Sequence, residues 1–331
     1  MQAPPPNAAN ESLVADTMKQ IAGWVGVTLL CLAVTFLGAR PQHCLEAKEC
    51  SAILNGGITK VNTYASVALG VALLIQFMTT KILYIKTRGM VGIVRDIEYT
   101  FVPPLLMCLA FFMLLVENLM LYKLSFVHVA AEGVGSHHRP IYSPILLEWC
   151  VNVPILLILS GNSALNRPIS EVSRPLIVTN IYMIIAWSAY FVPNEIIRWV
   201  FITVAFLMYA WASYDMANWI LIFRATARKD IPSRSARCVL TISLIFVFFV
   251  YGMVYLAGLL DLINPRHELI FWVTANVAVK LFFLILFVGI RASQFYDLLV
   301  TLVKLKVLPL DQLMPHDFEQ LQGGADEPLM D

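Results

Sequence analysis

Long apolar runs separated by short polar and charged segments recur along the whole 331-residue chain. Eight of them approach or exceed the roughly 17 to 25 residues that carry a helix across ~30 Å of hydrocarbon. They lie at 21–38, 62–80, 101–122, 141–160, 175–194, 199–223, 238–260 and 269–290. The first lacks a basic leader and a small-residue cleavage site, so it is expected to persist as a helix and not as a removed signal. The opening stretch, 1–20, is Pro- and Asn-rich and is expected to be disordered. Connections are short, the longest on the expected outer side being 39–61 and 123–140. Beyond the last span, Phe295, Leu298, Leu299, Leu302 and Leu305 keep helical spacing with Lys304 and Lys306 between them. That spacing predicts a helix continuing out of the membrane, as a stalk, an interfacial helix or a frayed end.

Composition narrows the class. With 59% hydrophobic and 14% charged residues and a mean hydropathy of +0.74, the chain is too apolar for a soluble domain, and the lipid bilayer is its first partner. A formal net charge of +1 gives no reason to expect a nucleic-acid partner. The distribution of cations does inform: with the N-terminus inside the cell, fifteen Lys and Arg fall on the inner side and seven on the outer. This asymmetry favours an even number of spans and two cytoplasmic termini, in a plasma membrane. The most basic inner loop, around 224–237, is expected to be solvated or to touch lipid head groups. Of six cysteines, Cys44 and Cys50 flank "LEAKE" in the first outer loop, an oxidising location that favours a local disulfide. No set of side chains suits a metal ion.

One charge stands apart. Lys280 lies at the centre of "LIFWVTANVAVKLFFLILFVGI", about 15 Å from either end at 1.5 Å per residue, too far for its stem to reach water. A lysine at mid-membrane costs roughly 2.5 to 3.5 kcal/mol, so such a residue faces the interior of a bundle. Two readings remain: a structural ion pair, or a desolvated amine that forms a Schiff base with a carbonyl ligand. Asn276, four residues earlier, shares its face. In the fourth span Glu148 is the carboxylate well inside the helix, with Asn152 one turn on, and it supplies the negative partner a buried cation needs. Phe248, Tyr251 and Tyr255 form an aromatic stripe with Gly252 beside it, either helix packing or the wall of a ligand pocket. Glu117 and Asp215 lie nearer span ends and are expected at interfaces.

At these residues the chain resembles the microbial (type 1) rhodopsins. That family carries a retinal-binding lysine in its last helix, matched by "NVAVK" ending at Lys280, and a carboxylate followed by Trp, matched by Glu148 and Trp149. Tyr142 stands six residues before Glu148 as in light-driven proton pumps, and Pro154 falls where that helix has its proline. The penultimate-helix pocket set is met by Phe248, Tyr251, Gly252 and Tyr255, with Gly in place of the family's Pro. The resemblance covers about 62–292. It implies a seven-helix retinal-binding bundle there, preceded by one additional transmembrane helix and outer loop at 21–61 and followed by a cytoplasmic helical linker and tail at 293–331. It also implies all-trans retinal covalently bound to Lys280, with Glu148, Trp149, Asn152, Asn276 and the four pocket residues around it.

The departures bear on mechanism. The family's acid four before the lysine is Asn276, which leaves Glu148 as the evident counterion; the pumps' arginine is Ile145 and their internal proton donor is Leu159. Net proton pumping is therefore not expected. Eight spans and a Glu 132 residues before the lysine look most like the choanoflagellate rhodopsin phosphodiesterases. The resemblance thus implies a light-sensing photoreceptor, dimeric through its first helix, acting on a cytoplasmic effector such as a cyclic-nucleotide phosphodiesterase domain. No catalytic domain is expected within this chain, since "HD" at His316 and Asp317 has no second set to hold two metals. A light-gated channel is the alternative; it would need a polar file beyond Glu117, Asn118, Asn152 and Asp215. A retinal-independent receptor coupled to G proteins comes third, as neither "DRY" nor "NPxxY" is present.

Overall fold

The computed structural model describes residues 58–91, 102–121, 126–131, 134, 139–227 and 231–304, with single positions at 23, 26, 28, 30, 33, 34 and 44. The predicted first span, taken as a whole, lies outside the described residues, as do 1–20, Cys50 and everything beyond 304. Seven helices follow in order: α1 (Ile58–Val91), α2 (Val102–Leu121), α3 (Ser143–Ile158), α4 (Ile169–Ala189), α5 (Glu195–Thr226), α6 (Arg234–Leu259) and α7 (Pro265–Lys304). All seven are long and apolar enough to cross a bilayer.

Each helix packs on the next in sequence, and α7 packs on both α6 and α1, so the seven close into a ring. Within it α3 is the most enclosed: 78% of its spanning window is buried, against 17–44% for the others. Leu74, Phe112, Leu207, Phe246 and Ile285 remain exposed on the outer faces, as expected of helices whose solvent is lipid. The chain is an integral membrane protein.

Prolines set several helix starts. Pro144 stands in the first turn of α3, where its missing N–H costs nothing. Asn194 caps α5, its side-chain oxygen accepting from Ile197 N at 3.1 Å. The span expected at 175–194 is shifted: α4 begins at Ile169, carries Pro175 inside it and ends at Ala189. Its early end follows from Tyr190 and Phe191 turning before Pro193, because the residue before a proline disfavours helix.

At one end of the bundle β1 (His128–Val129) pairs antiparallel with β2 (Pro140–Ile141). The span expected from 141 therefore starts two residues late, at Ser143. Under this hairpin Leu121, Val127, Val129, Tyr142 and Trp272 form a second small core. Cys44 is buried in it and its N–H donates to Val127 O at 2.8 Å. Cys44 is disulfide-bonded; its expected partner, Cys50, lies outside the described residues.

At the opposite end α3 widens into a π-helical segment, Leu159–Ala164, where Leu165 N donates to Ser160 O. Three side chains fasten it: Thr241 of α6 to Ser160 at 2.7 Å, Arg237 of α6 to Ala164 O at 3.2 Å, and Gln294 of α7 to Ser163 O at 3.2 Å. Gly161 admits close neighbours, since a Cβ there would lie 2.7 Å from Val172 Cγ2 and 2.9 Å from Trp219 Cζ3. Gly161→Ala is expected to cost about 1–3 kcal/mol through overpacking, measured as a lower thermal midpoint in lipid nanodiscs; an unchanged midpoint would show that the segment yields.

Candidate functional site

Lys280 sits in α7 and is 3% exposed; Glu148, in α3, is 1% exposed. Their side chains meet in the middle of the ring, Lys280 Nζ lying 2.7 Å from Glu148 Oε1. Neither charge reaches solvent, so each depends on the other: removing one partner of such a pair leaves an uncompensated charge. Asn152, one turn after Glu148, donates its amide to the same carboxylate oxygen and to Ala110 O of α2 at 2.9 Å. Asn276, one turn before Lys280, accepts from Trp149 Nε1 at 3.3 Å. The i, i+4 spacing on two facing helices thus brings Lys280, Glu148, Trp149, Asn152 and Asn276 into one cluster.

The cluster has a further member. Glu117 of α2 is 1% exposed, and its Oε2 accepts from Asn276 Nδ2 at 3.3 Å. This corrects the expectation of an interfacial Glu117. Position along a span misled because the helices are not level. Glu117 is four residues from the end of α2, whereas its partner Asn276 is eleven residues into α7. The end of α2 is therefore recessed by roughly 10 Å at 1.5 Å per residue, and the hairpin core covers it. Asp215 does sit near a periphery, 3.2 Å from the half-exposed Arg174.

Beside the amine cluster lies an open-mouthed, mostly aromatic cavity. Tyr142, Trp149, Phe248, Tyr251, Gly252 and Tyr255 all line it. So do residues that the sequence pattern did not single out: Tyr182, Met183 and Trp187 of α4, Phe206 and Tyr209 of α5, and Trp272 of α7. Lys280, Glu148, Asn152 and Asn276 are not among the lining residues; Trp149 joins the two regions, its N–H in the polar cluster and its rings on the cavity. Its indole stacks on Tyr251 with centroids 5.2 Å apart and planes 5° apart, and meets Trp272 edge-on at 5.2 Å. Tyr255 Oη is spent on Ala186 O at 2.7 Å and Tyr142 Oη on Pro265 O at 2.8 Å. Tyr251 Oη is buried with no hydrogen-bond partner among the described residues.

These residues fit retinal. A primary amine in a dry interior could serve as the nucleophile, an aromatic cavity suits an apolar ligand, and the Glu148 carboxylate would balance a positive charge retained at Nζ. The alternative of a purely structural ion pair accounts for Lys280 and Glu148 but leaves the adjoining aromatic cavity without a purpose.

The hairpin end holds a second charged group. Arg139, fully buried, pairs through Nη2 with Glu268 Oε2 at 2.6 Å and through Nη1 with Asp261 Oδ1 at 2.8 Å; Nη2 also reaches Ile263 O at 3.1 Å. Asp261 adopts a left-handed φ of 59°, which Asp tolerates better than most residues. A Cβ on Gly258 would lie 2.8 Å from Glu268 Oε1, so glycine is what lets α6 approach this network. Ile145, at the pumps' arginine position, is a buried wall residue of the cavity. Leu159, at their donor position, opens the π-helical segment. Among the described residues no cluster suits a metal ion.

No protein-family model and no curated protein matches the chain in sequence. Solved structures do match in fold. The transmembrane domain and linker region of the rhodopsin phosphodiesterase of Salpingoeca rosetta aligns with a TM-score of 0.63 at 14% identity, covering 92% of this chain and 91% of that one. The light-driven proton pump of Coccomyxa subellipsoidea aligns at 0.58 and 13% identity, over 72% of this chain and 97% of the other. Halorhodopsin, a light-driven chloride pump, aligns at 0.58 and 13%, with the same coverage. Proteins of different activity thus share this bundle, and the chain has the fold of the microbial rhodopsins.

Proposed function

We propose that the chain is a retinal-binding light sensor, with Lys280 as the attachment site and Glu148 as its counter-charge. The carrying observation is the 2.7 Å pairing of two buried, opposite charges at mid-bundle, next to an aromatic cavity. When bound, retinal supplies the visible absorption and the double bond that light isomerises. Glu148 holds the positive charge at Nζ, Asn152 fixes the carboxylate, and Asn276 fixes the Trp149 indole. Phe248, Tyr251, Gly252 and Tyr255 form the α6 wall of the cavity. Absence of an arginine at 145 and of an acid at 159 favours sensing over pumping.

The output we assign to α7, which runs from the amine past the membrane to Lys304. A change of packing at Lys280 biases this helix between two arrangements and so reaches an effector on the cytoplasmic side. We also infer an extra N-terminal span, two cytoplasmic termini and a dimer formed through that span; the fuller alignment to the rhodopsin phosphodiesterase module, 92% of this chain against 72% for the pumps, accords with the first of these. A cyclic-nucleotide phosphodiesterase is the effector class that this likeness favours. Light-gated conduction is a second reading, favoured by the buried polar set Glu117, Asn118, Asn152 and Asn276; a light-induced current under voltage clamp would establish it in place of sensing.

The test is an absorption spectrum of purified protein with and without retinal. A visible band is expected, and Glu148→Gln is expected to move it to longer wavelength, because the charge that pins the cation at Nζ is removed. Absence of any band in the retinal-supplemented wild type overturns the proposal.

A further inference from the structure

We propose that Glu117 and Glu148 form an acid–carboxylate pair that stores one proton beside Lys280, with Glu117 as the proton-bearing member. Glu117 and Glu148 bracket the same residues: Asn276, which donates to Glu117 Oε2 at 3.3 Å, stands one turn before Lys280, which pairs with Glu148 Oε1 at 2.7 Å. Each keeps one buried oxygen, Glu117 Oε1 and Glu148 Oε2, without a partner among the described residues. Two ionised carboxylates cannot donate to each other; an acid and a carboxylate can.

Charge counting leads to the same place. One ammonium and two carboxylates would leave a net negative charge in a dry interior, and like charges sharing such a site do not both ionise. One proton on the pair makes the cluster neutral. Its location follows from the donors: Glu148 faces the Lys280 ammonium at 2.7 Å and the Asn152 amide, both of which favour the carboxylate. Glu117 has a single amide donor at 3.3 Å. A proton leaving Lys280 Nζ would pass to Glu148, leaving an uncharged nitrogen and two neutral carboxyls, so the cluster remains neutral in both states. Asn276 stands where a third carboxylate would have upset that balance.

Infrared difference spectra of the full chain in lipid, without retinal, test the pair independently of the pigment. The carbonyl stretch of a protonated carboxylic acid is expected in wild type, lost in Glu117→Gln and shifted in frequency in Glu117→Asp, with Glu268→Gln leaving it in place. If Glu117→Gln folds and keeps the whole band, the proposal is wrong; if Glu117→Gln does not fold, a band unmoved in Glu117→Asp overturns it equally. The second arm rests on the retinal reading. Glu148→Gln should retain a visible band, since Glu117 can then ionise, whereas the double Glu117→Gln, Glu148→Gln variant should lose it to the ultraviolet at neutral pH. A double variant that keeps the visible band contradicts the pair. A wild type that takes up no retinal but shows the acid band would sink the light-sensor reading alone.

Discussion

Retinal-supplemented Lys280→Ala protein is expected to be colourless, a complete loss of the visible band and not a shift. Among the lysine side chains that the structure describes, Lys280 alone is buried. A colourless variant has a trivial explanation, because deleting the cation leaves Glu148 buried and unpaired, at a cost of about 3–5 kcal/mol. The double variant Lys280→Met, Glu148→Gln removes both charges and should recover most of that loss. If the double variant melts near the wild type and is still colourless, the missing colour reports attachment. A pigment that survives either substitution would place the linkage elsewhere and remove the basis of the assigned function.

A stability effect of the same size is expected at the hairpin end of the bundle. Arg139 is wholly enclosed, and Glu268 beside it is nearly so, with side-chain exposures of 0% and 5%. Arg139→Met should destabilise the protein by about 3–5 kcal/mol by orphaning the Glu268 carboxylate. Asp261, with a side chain 42% exposed, should contribute little. Apparent unfolding free energies in bicelles measure this, and adding Glu268→Gln to Arg139→Met should restore much of the deficit. Equal stability of the single variant and the wild type would mean that water already reaches the guanidinium.

Lys280 and Glu148 were legible in the sequence because an apolar run of membrane length makes a single charge conspicuous, and hydrocarbon leaves it no exit. Asn152 and Asn276 followed by helical spacing. Glu117 was not, because depth along one helix says nothing of how far its neighbours are staggered. Tyr182, Trp187, Phe206 and Tyr209 escaped for another reason: a lipid-facing helix is apolar all round, so periodicity does not mark its inward face. Arg139 was counted as a loop charge, and only the fold shows that the hairpin carries it under cover. The π-helical segment had a faint signal in Ser160, Gly161, Asn162 and Ser163, a polar cluster near the end of an apolar run. Outside 62–292, the expected first span, Cys50 and the tail lie largely beyond the described residues.

The length of α7 has a mechanical consequence. Its 40 residues make a rod of about 60 Å, roughly twice the hydrocarbon thickness, and Lys304 lies 24 residues, or about 36 Å, beyond the amine. Pivoted near Lys280, the rod acts as a lever: a tilt of roughly 5° would swing its far tip by about 3 Å, enough to repack one side chain against another. Spin labels should reveal the gain directly, with a probe at the exposed Tyr296 travelling farther on illumination than one at Ala275. Equal travel at both positions would mean that the rod slides or twists in place of tilting.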